Sequence, residues 1–152
     1  MSRWNKPEVG SFVLRVGLGI IFFLHGWMNV IGGQESFIRE MFVMIGWSLP
    51  DFLLWLVTIL ELLGGLALIL GVLARLAALL LATEMVVAVL AFHIGQGFFI
   101  VAVPNAPLAY GFEYHIALVA GLVCLVLTGP GVWSLGPMIK RGGVEESDRS
   151  SS

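Results

Sequence analysis

Four apolar stretches, each close to the roughly 20 residues that a membrane-crossing helix needs, constrain this chain more than any other feature. They cover residues 10–31, 50–73, 74–94 and 112–128. Charged residues make up only 12% of the 152 positions, about half of their share in an ordinary soluble domain. A soluble chain of this length could not bury so much apolar surface, and a disordered chain would need the opposite composition. The sequence therefore predicts an integral membrane protein that has the lipid bilayer as its surroundings.

Turn-forming residues separate the four stretches. Gly32 and Pro50 lie at the two ends of the first loop, and two prolines within residues 104–107 lie in the third. Arg75 alone marks the break between the second and third stretches, which predicts a tight helical hairpin. The predicted fold class is therefore all-α, an antiparallel four-helix transmembrane bundle.

Two further segments complete the predicted architecture. Apolar residues recur at helical spacing within residues 36–47, so this segment is expected to form a short interfacial helix between the first two spans. The bundle is expected to occupy residues 1–140 as a single domain. Residues 141–152 are polar and are expected to form a disordered cytoplasmic tail.

Lysine and arginine residues outside the spans predict the orientation in the membrane. One side of a four-span arrangement carries six of them, and Arg39 lies alone on the other side. The positive-inside rule then places both termini in the cytoplasm, in a multi-pass protein of a bacterial-type inner membrane. The six residues are Arg3, Lys6, Arg75, Lys140, Arg141 and Arg149.

The residue content excludes several kinds of chemistry. Cys124 is the only cysteine, so the chain has no internal disulfide and no C-x-x-C pair for thiol exchange. The 19 glycines form no phosphate-binding loop for a nucleotide cofactor. A net charge of −2 gives no reason to expect nucleic acid as a partner. No metal site is expected.

Ionisable residues inside the spans are the candidate functional residues, because each ionised group near the bilayer centre costs about 2.5–3.5 kcal/mol. At 1.5 Å per residue, His25 lies about 9 Å and Glu61 roughly 16 Å below the outer surface. His93, Glu113 and His115 lie within about one helical turn of that surface. We therefore predict an outward-facing polar pocket or proton relay formed by His25, Glu61, His93 and Glu113.

The remaining ionisable residues of the spans, Arg15 and Glu84, lie nearer the cytoplasmic half. Arg15 is expected to neutralise either Glu61 or Glu84. Helical phase raises one conflict, because Glu84 and His93 are nine residues apart and so lie about 180° apart around a regular helix. They cannot point into one pocket unless the helix bends or ends early.

Helical phase also gives Glu61 a direction. Glu61, Gly64, Gly65 and Leu68 recur with the spacing that puts residues on one helix face. Glycines are typical of close helix packing in membranes. The carboxylate is therefore expected to face the interior of the bundle.

Several motifs closely resemble those of the DoxX family of small four-helix membrane proteins. The resemblance runs in the family's order from residue 14 to residue 135, and it implies the fold and the membrane location. The family's recurring ionisable residues match Arg15, His25, Glu61, Glu84, His93 and Glu113, whereas Gly136 replaces an acid found in many members. The matching stretches are LRVGLGIIFFLHGW (14–27), ELLGGLALILGVLARLAALLLATEM (61–85), HIGQGFF (93–99) and GPGVWSL (129–135).

The resemblance implies a redox-associated membrane subunit, since the family includes membrane components of thiosulfate:quinone oxidoreductase and proteins connected with oxidative stress. Membrane or periplasmic redox subunits are the implied partners. Nothing in the chain identifies a thiosulfate site, and the resemblance leaves open whether the chain is itself catalytic.

Four functional hypotheses follow from these residues. The chain binds quinone, with His25 or His93 donating to a carbonyl and with Glu61 and Glu113 relaying protons. Alternatively it is a non-catalytic structural or assembly subunit, in which the same residues pair and fix the helix register. Haem or metal binding by the histidines is a third, weaker hypothesis, with His115 as an additional ligand. A small proton-coupled transporter, which would require a homo-oligomer, is the fourth.

Overall fold

Four helices account for most of the described chain. The computed structural model describes residues 6–32, 50–100 and 111–136, together with Arg39, Val43 and Gly46. No strand occurs within these residues, and the predicted all-α, four-helix fold is confirmed. The helices are α1 (Lys6–Ile31), α2 (Asp51–Leu70), α3 (Ala74–Ala88) and α4 (Glu113–Thr128), and α3 continues into a π turn (Val89–His93) and a 3₁₀ turn (Ile94–Gln96).

Three of the helical segments are long and apolar enough to cross a membrane. They are Pro7–Ile31, Asp51–Leu70 and Ala74–Gln96, and the apolar helix α4 is shorter, at 16 residues. Their outward surfaces carry many exposed large apolar side chains, as helices in contact with lipid should.

The tight hairpin predicted at Arg75 is present between α2 and α3. Gly71 adopts a left-handed backbone with φ 72°, and the N–H of Val72 donates to the carbonyl of Ala67 at 3.0 Å. This arrangement satisfies carbonyls at the end of α2 that would otherwise lack donors. Helix α3 then begins at Ala74, so the chain reverses within three residues.

Packing divides the bundle into two helix pairs, α1–α2 and α3–α4, which have the most extensive contacts. The core lies between them and consists of apolar residues from all four helices. Contacts between the pairs concentrate at the end that holds residues 71–73 and 129–136, which we call the turn end. The opposite end, which holds residues 97–100 and 111–113, is called the loop end. The most buried core residues include Phe22, Leu68, Leu81, Leu122 and Leu125.

Glycines bring α1 and α2 into backbone contact. A Cβ atom on Gly65 would lie 2.8 Å from the carbonyl oxygen of Gly19, and one on Gly26 would lie 2.8 Å from the Cα of Leu62. Side chains at these positions would separate the helices. The two helices therefore approach as closely as the small-residue interfaces of membrane proteins allow.

Parts of the predicted architecture lie outside the described residues. Of residues 36–47, the structure describes Arg39 and Val43, which have helical backbone, and Gly46, which lies in a turn. The Nη2 atom of Arg39 donates to Oδ1 of Asp51 at 2.7 Å, next to the start of α2. The predicted domain boundary at residue 140 and the tail beyond it are outside the described residues.

Gly26→Ala is expected to destabilise the bundle, because the new methyl group meets the backbone of α2, which cannot move aside. The expected loss is about 1–3 kcal/mol of unfolding free energy, as for other overpacked sites. Denaturation in mixed detergent micelles measures it. Gly17→Ala is the matched control on the same helix, since a Cβ there meets nothing within 4 Å. Equal stability of the two variants would contradict the proposed role of backbone contact.

Candidate functional site

A cavity of about 570 Å³ lies between the two helix pairs, toward the loop end of the bundle. Its walls are mainly apolar side chains from all four helices, including Phe22, Leu60, Met85 and Leu118. The polar and ionisable residues that line it are His25, Asn29, Glu61, Thr83, Glu84, His93, Tyr114 and His115.

The position of the cavity follows from how the pairs pack. At the turn end the two pairs are close: the hydroxyl of Ser11 donates to that of Thr128 at 3.1 Å, and Gly121 lies against Leu18. Toward the loop end the corresponding surfaces of α1 and α4 line the cavity instead. The bundle is therefore closed at one end and holds a cavity at the other.

Glu61 lies on the buried face of α2, with 7% of its surface exposed. Its Oε2 atom accepts a hydrogen bond of 2.8 Å from Nδ2 of Asn29 on α1. Gly64, Gly65 and Leu68 are buried on the same face, so the structure places the carboxylate toward the cavity rather than toward lipid.

Glu84 lies at the same level of the bundle as Glu61, on the opposite wall of the cavity. Gly64 of α2 faces Leu81 of α3. Because these helices run antiparallel, Glu61, three residues before Gly64, lies level with Glu84, three residues after Leu81. The Oε2 atom of Glu84 is buried and accepts no hydrogen bond within the described part of the chain. The cavity thus contains two carboxyl groups on facing helices.

The structure corrects the expectation that Arg15 neutralises Glu61 or Glu84. Gly26 lies against Leu62 and Gly19 against Ile69, which puts Glu61 level with residue 27 of α1. Twelve residues, or about 18 Å along the helix, separate that level from Arg15. Among the described residues, the ion pair that the structure shows joins Arg39 and Asp51.

Arg15 instead lies at the turn end, fully buried between the carboxyl end of α2 and the segment that follows α4. Its Nη2 atom donates to the carbonyl of Trp133 at 3.2 Å, its guanidinium packs against Gly71, and it lies 5.4 Å from the ring of Phe12. Helix carboxyl ends carry partial negative charge. The arginine therefore lies at the carboxyl end of α2 rather than beside a carboxylate.

The π turn explains how His93 reaches the cavity that Glu84 also lines. A π turn holds about one residue more than a regular turn, so it rotates the residues after it by about 100°. The angle between Glu84 and His93 around the helix axis is therefore roughly 80°, instead of the about 180° expected for a regular helix. His93 is 6% exposed, and its ring centroid is 4.1 Å from that of His115.

His25 lines the α1 wall of the cavity. Its Nδ1 atom is 2.8 Å from the carbonyl oxygen of Ile21 in the preceding turn. Because a carbonyl only accepts hydrogen bonds, Nδ1 carries the hydrogen. In the neutral ring, Nε2 is then left as an acceptor.

Glu113 is the one predicted pocket residue that does not line the cavity. It is the first residue of α4, and its Oε1 atom accepts a hydrogen bond of 3.2 Å from the N–H of Ile100. Its own N–H donates to the carbonyl of Phe98 at 3.0 Å. The carboxylate therefore holds the 97–100 segment against the start of α4, on a different side of the helix from Tyr114, His115 and Leu118.

Sequence reasoning missed four polar residues of the cavity, Asn29, Thr83, Tyr114 and His115. Asn29 follows His25 by four residues and so lies on the same face of α1, which is a signal that helical phase could have used. His115 was recognised as ionisable but was not included in the predicted pocket. Its Nδ1 atom is buried without a hydrogen-bond partner.

The polar groups of the cavity form two clusters. Glu61 and Glu84 lie deep, and the rings of His93 and His115 lie nine residues farther along α3, about 13 Å toward the loop end. Within the described residues, no three His, Cys, Asp or Glu side chains are grouped so that they could hold a metal ion. The arrangement suits an uncharged ring with oxygen substituents, which imidazole groups can hydrogen-bond and carboxyl groups can protonate.

Comparison with known proteins gives two relatives that cover nearly the whole chain. "Putative oxidoreductase CatD" of Bacillus subtilis (strain 168) is 31% identical over 91% of this chain and 93% of its own length. "Inner membrane protein YqjF" of Escherichia coli (strain K12) is 30% identical over 88% of this chain and 95% of its own length. No solved structure matches the chain.

The family model for DoxX matches residues 10–94. This range contains α1, α2 and α3 as far as the 3₁₀ turn, and with them Glu61, Glu84 and His93. The two relatives extend the similarity over nearly the whole chain. The chain is a membrane protein and belongs to the DoxX family.

Proposed function

We propose that the chain is a redox-associated membrane subunit that binds a quinone in the cavity between its helix pairs. The observation that carries the proposal is the cavity itself, which has about 570 Å³ of space and apolar walls. Ligand sites typically combine such walls with a few placed polar groups. A quinone is an apolar ring with two carbonyl oxygens, so it matches this distribution of groups.

The residues have distinct roles in this proposal. An imidazole N–H of His93 or His115 donates to a quinone carbonyl, and the second oxygen points toward the deeper part of the cavity. When the quinone is reduced, its oxygens take up protons, and Glu61 and Glu84, about 13 Å deeper along α3, are the carboxyl groups from which a proton relay would supply them. His25 completes the polar lining on α1.

The electrons come from a partner redox subunit in this proposal. The chain has a single cysteine, Cys124, and therefore no thiol pair that could cycle between dithiol and disulfide. One relative, CatD, bears the name of a putative oxidoreductase, which supports a redox context.

We also propose that the turn end faces the cytoplasm, in an inner membrane of bacterial type. Arg75, next to the hairpin, lies at that end, and the YqjF relative is named an inner membrane protein. The positive-inside rule favours this orientation.

Quinone binding should raise the thermal stability of the purified protein in mild detergent. A ligand that binds only the folded state adds about 2.7 kcal/mol of stability at a concentration 100 times its Kd. Titration with a benzoquinone, followed by the unfolding temperature, measures this effect. The proposal would be refuted if the purified protein contained no quinone and if added quinone left its unfolding temperature unchanged.

His93→Phe should weaken quinone binding by about tenfold, since one hydrogen bond contributes about 0.5–1.5 kcal/mol and its unpaired partner adds a cost. Fluorescence quenching or calorimetry in detergent measures the Kd. Glu113→Gln is the control, because Glu113 does not line the cavity. The Kd of this variant for quinone should stay within about twofold of that of the unaltered chain. Unchanged affinity in His93→Phe would favour the purely structural role for the buried histidines.

Reporter fusions test the orientation. Green fluorescent protein fused after residue 136 should fluoresce, because it folds in the cytoplasm, and alkaline phosphatase at the same position should be inactive. Alkaline phosphatase inserted at Gly46, at the other end of the bundle, should be active. The reverse pattern would contradict the proposed topology.

A further inference from the structure

We propose that a slot between α2 and α3 is a portal to the membrane interior, through which the cavity's ligand extends a hydrocarbon tail into lipid. The inference rests on the proposed quinone function and deepens it, because it assigns the ligand to tailed rather than tailless quinones. Leu56, Leu80, Thr83 and Val87 form the rim of the slot.

The rim residues have two properties that occur together at an opening. Leu56 on α2 and Leu80, Thr83 and Val87 on α3 all line the cavity. All four residues are also exposed, Leu56 to 58%, Leu80 to 43% and Val87 to 57%. A side chain that borders both the cavity and the surroundings lies at a gap in the wall.

The gap opens at a depth where the surroundings are hydrocarbon. From the pairing of Gly64 with Leu81, Val87 lies level with Thr58 on α2. Thr58 is seven residues after the start of α2 at Asp51, and Leu80 lies level with Gly65, so the slot extends from about 10 Å to about 21 Å below that end of the helix. Both helices belong to segments that are long enough to cross a membrane.

The chemistry of the rim selects what passes through it. Leu56, Leu80 and Val87 are aliphatic, and the hydroxyl of Thr83 donates to the carbonyl of Leu79 at 2.9 Å within its own helix, so the rim is mainly apolar. The opposite wall of the cavity, where His25 and Tyr114 are also exposed, is more polar. A ligand whose ring lies among the histidines and carboxyl groups therefore directs an apolar tail toward α2 and α3, where lipid replaces water around it.

The test compares two substitutions at adjacent positions of α3. Val87→Trp fills the slot, whereas Val86→Trp adds the same side chain at a position that is 43% exposed but does not line the cavity. Each variant is titrated with a dimethoxy-methyl-benzoquinone that carries a decyl chain and with the same ring without the chain. Leu56→Trp and Leu63→Trp repeat the comparison on α2, since Leu63 is exposed without lining the cavity.

Val87→Trp should weaken binding of the decyl compound by about tenfold relative to Val86→Trp, while the tailless ring binds both variants within about twofold. The portal would be overturned, and the quinone site left intact, if the decyl compound bound Val86→Trp and Val87→Trp equally well and also bound the two α2 variants equally well. An equal loss for both compounds in Val87→Trp would also overturn it, because Val87 would then act on the ring. Binding of neither compound to the unaltered chain would overturn the quinone function, and the portal with it.

Discussion

The backbone contact between α1 and α2 is the interaction on which the rest of the structure depends. In hydrocarbon, helices gain little from burying apolar side chains, so close van der Waals packing must hold them together. Gly19, Gly26 and Gly65 permit that packing and also fix the relative height of the two helices.

The register that these glycines set determines the partners of two polar side chains. At one end it brings Arg15 beside Gly71, where the carboxyl end of α2 meets the segment that follows α4. At the other end it places Asn29 within hydrogen-bonding distance of Glu61. A shift of one turn would leave both groups without these partners in a medium where unpaired polar groups are costly.

Sequence reasoning predicted the fold well because membrane helices have strong signals. Apolar length and turn residues located all four helices, and Arg75 located the hairpin between α2 and α3. The buried face of α2 could also be predicted, since the period of 3.6 residues places Glu61 with the packing glycines. Local spacing and hydrophobicity carry all of this information.

The site was less predictable, because it depends on relations between helices. Counting from span ends placed Arg15 near Glu84, whereas packing contacts place Glu84 level with Glu61 and far from Arg15. The π turn before His93 has no clear sequence signal, yet it rotates the imidazole toward the cavity. Glu113 was assigned to the pocket by depth alone, although its carboxylate holds a loop segment. Depth and phase along one helix therefore do not identify a site that several helices build.

The separation of Arg15 from the two carboxyl groups has a consequence for the chemistry of the cavity. Glu61 and Glu84 face each other in a part of the bundle where ionised groups are expensive, and the buried arginine is about 18 Å away along α1. Asn29 supplies one neutral donor to Glu61, while Oε2 of Glu84 has no donor within the described residues. The negative charge of Glu61 and Glu84 is then compensated by protons that they bind or by the molecule that occupies the cavity. Within the described residues neither carboxyl group has an ion pair with a basic side chain, and in the proposed quinone site the ligand is the group that exchanges protons with them.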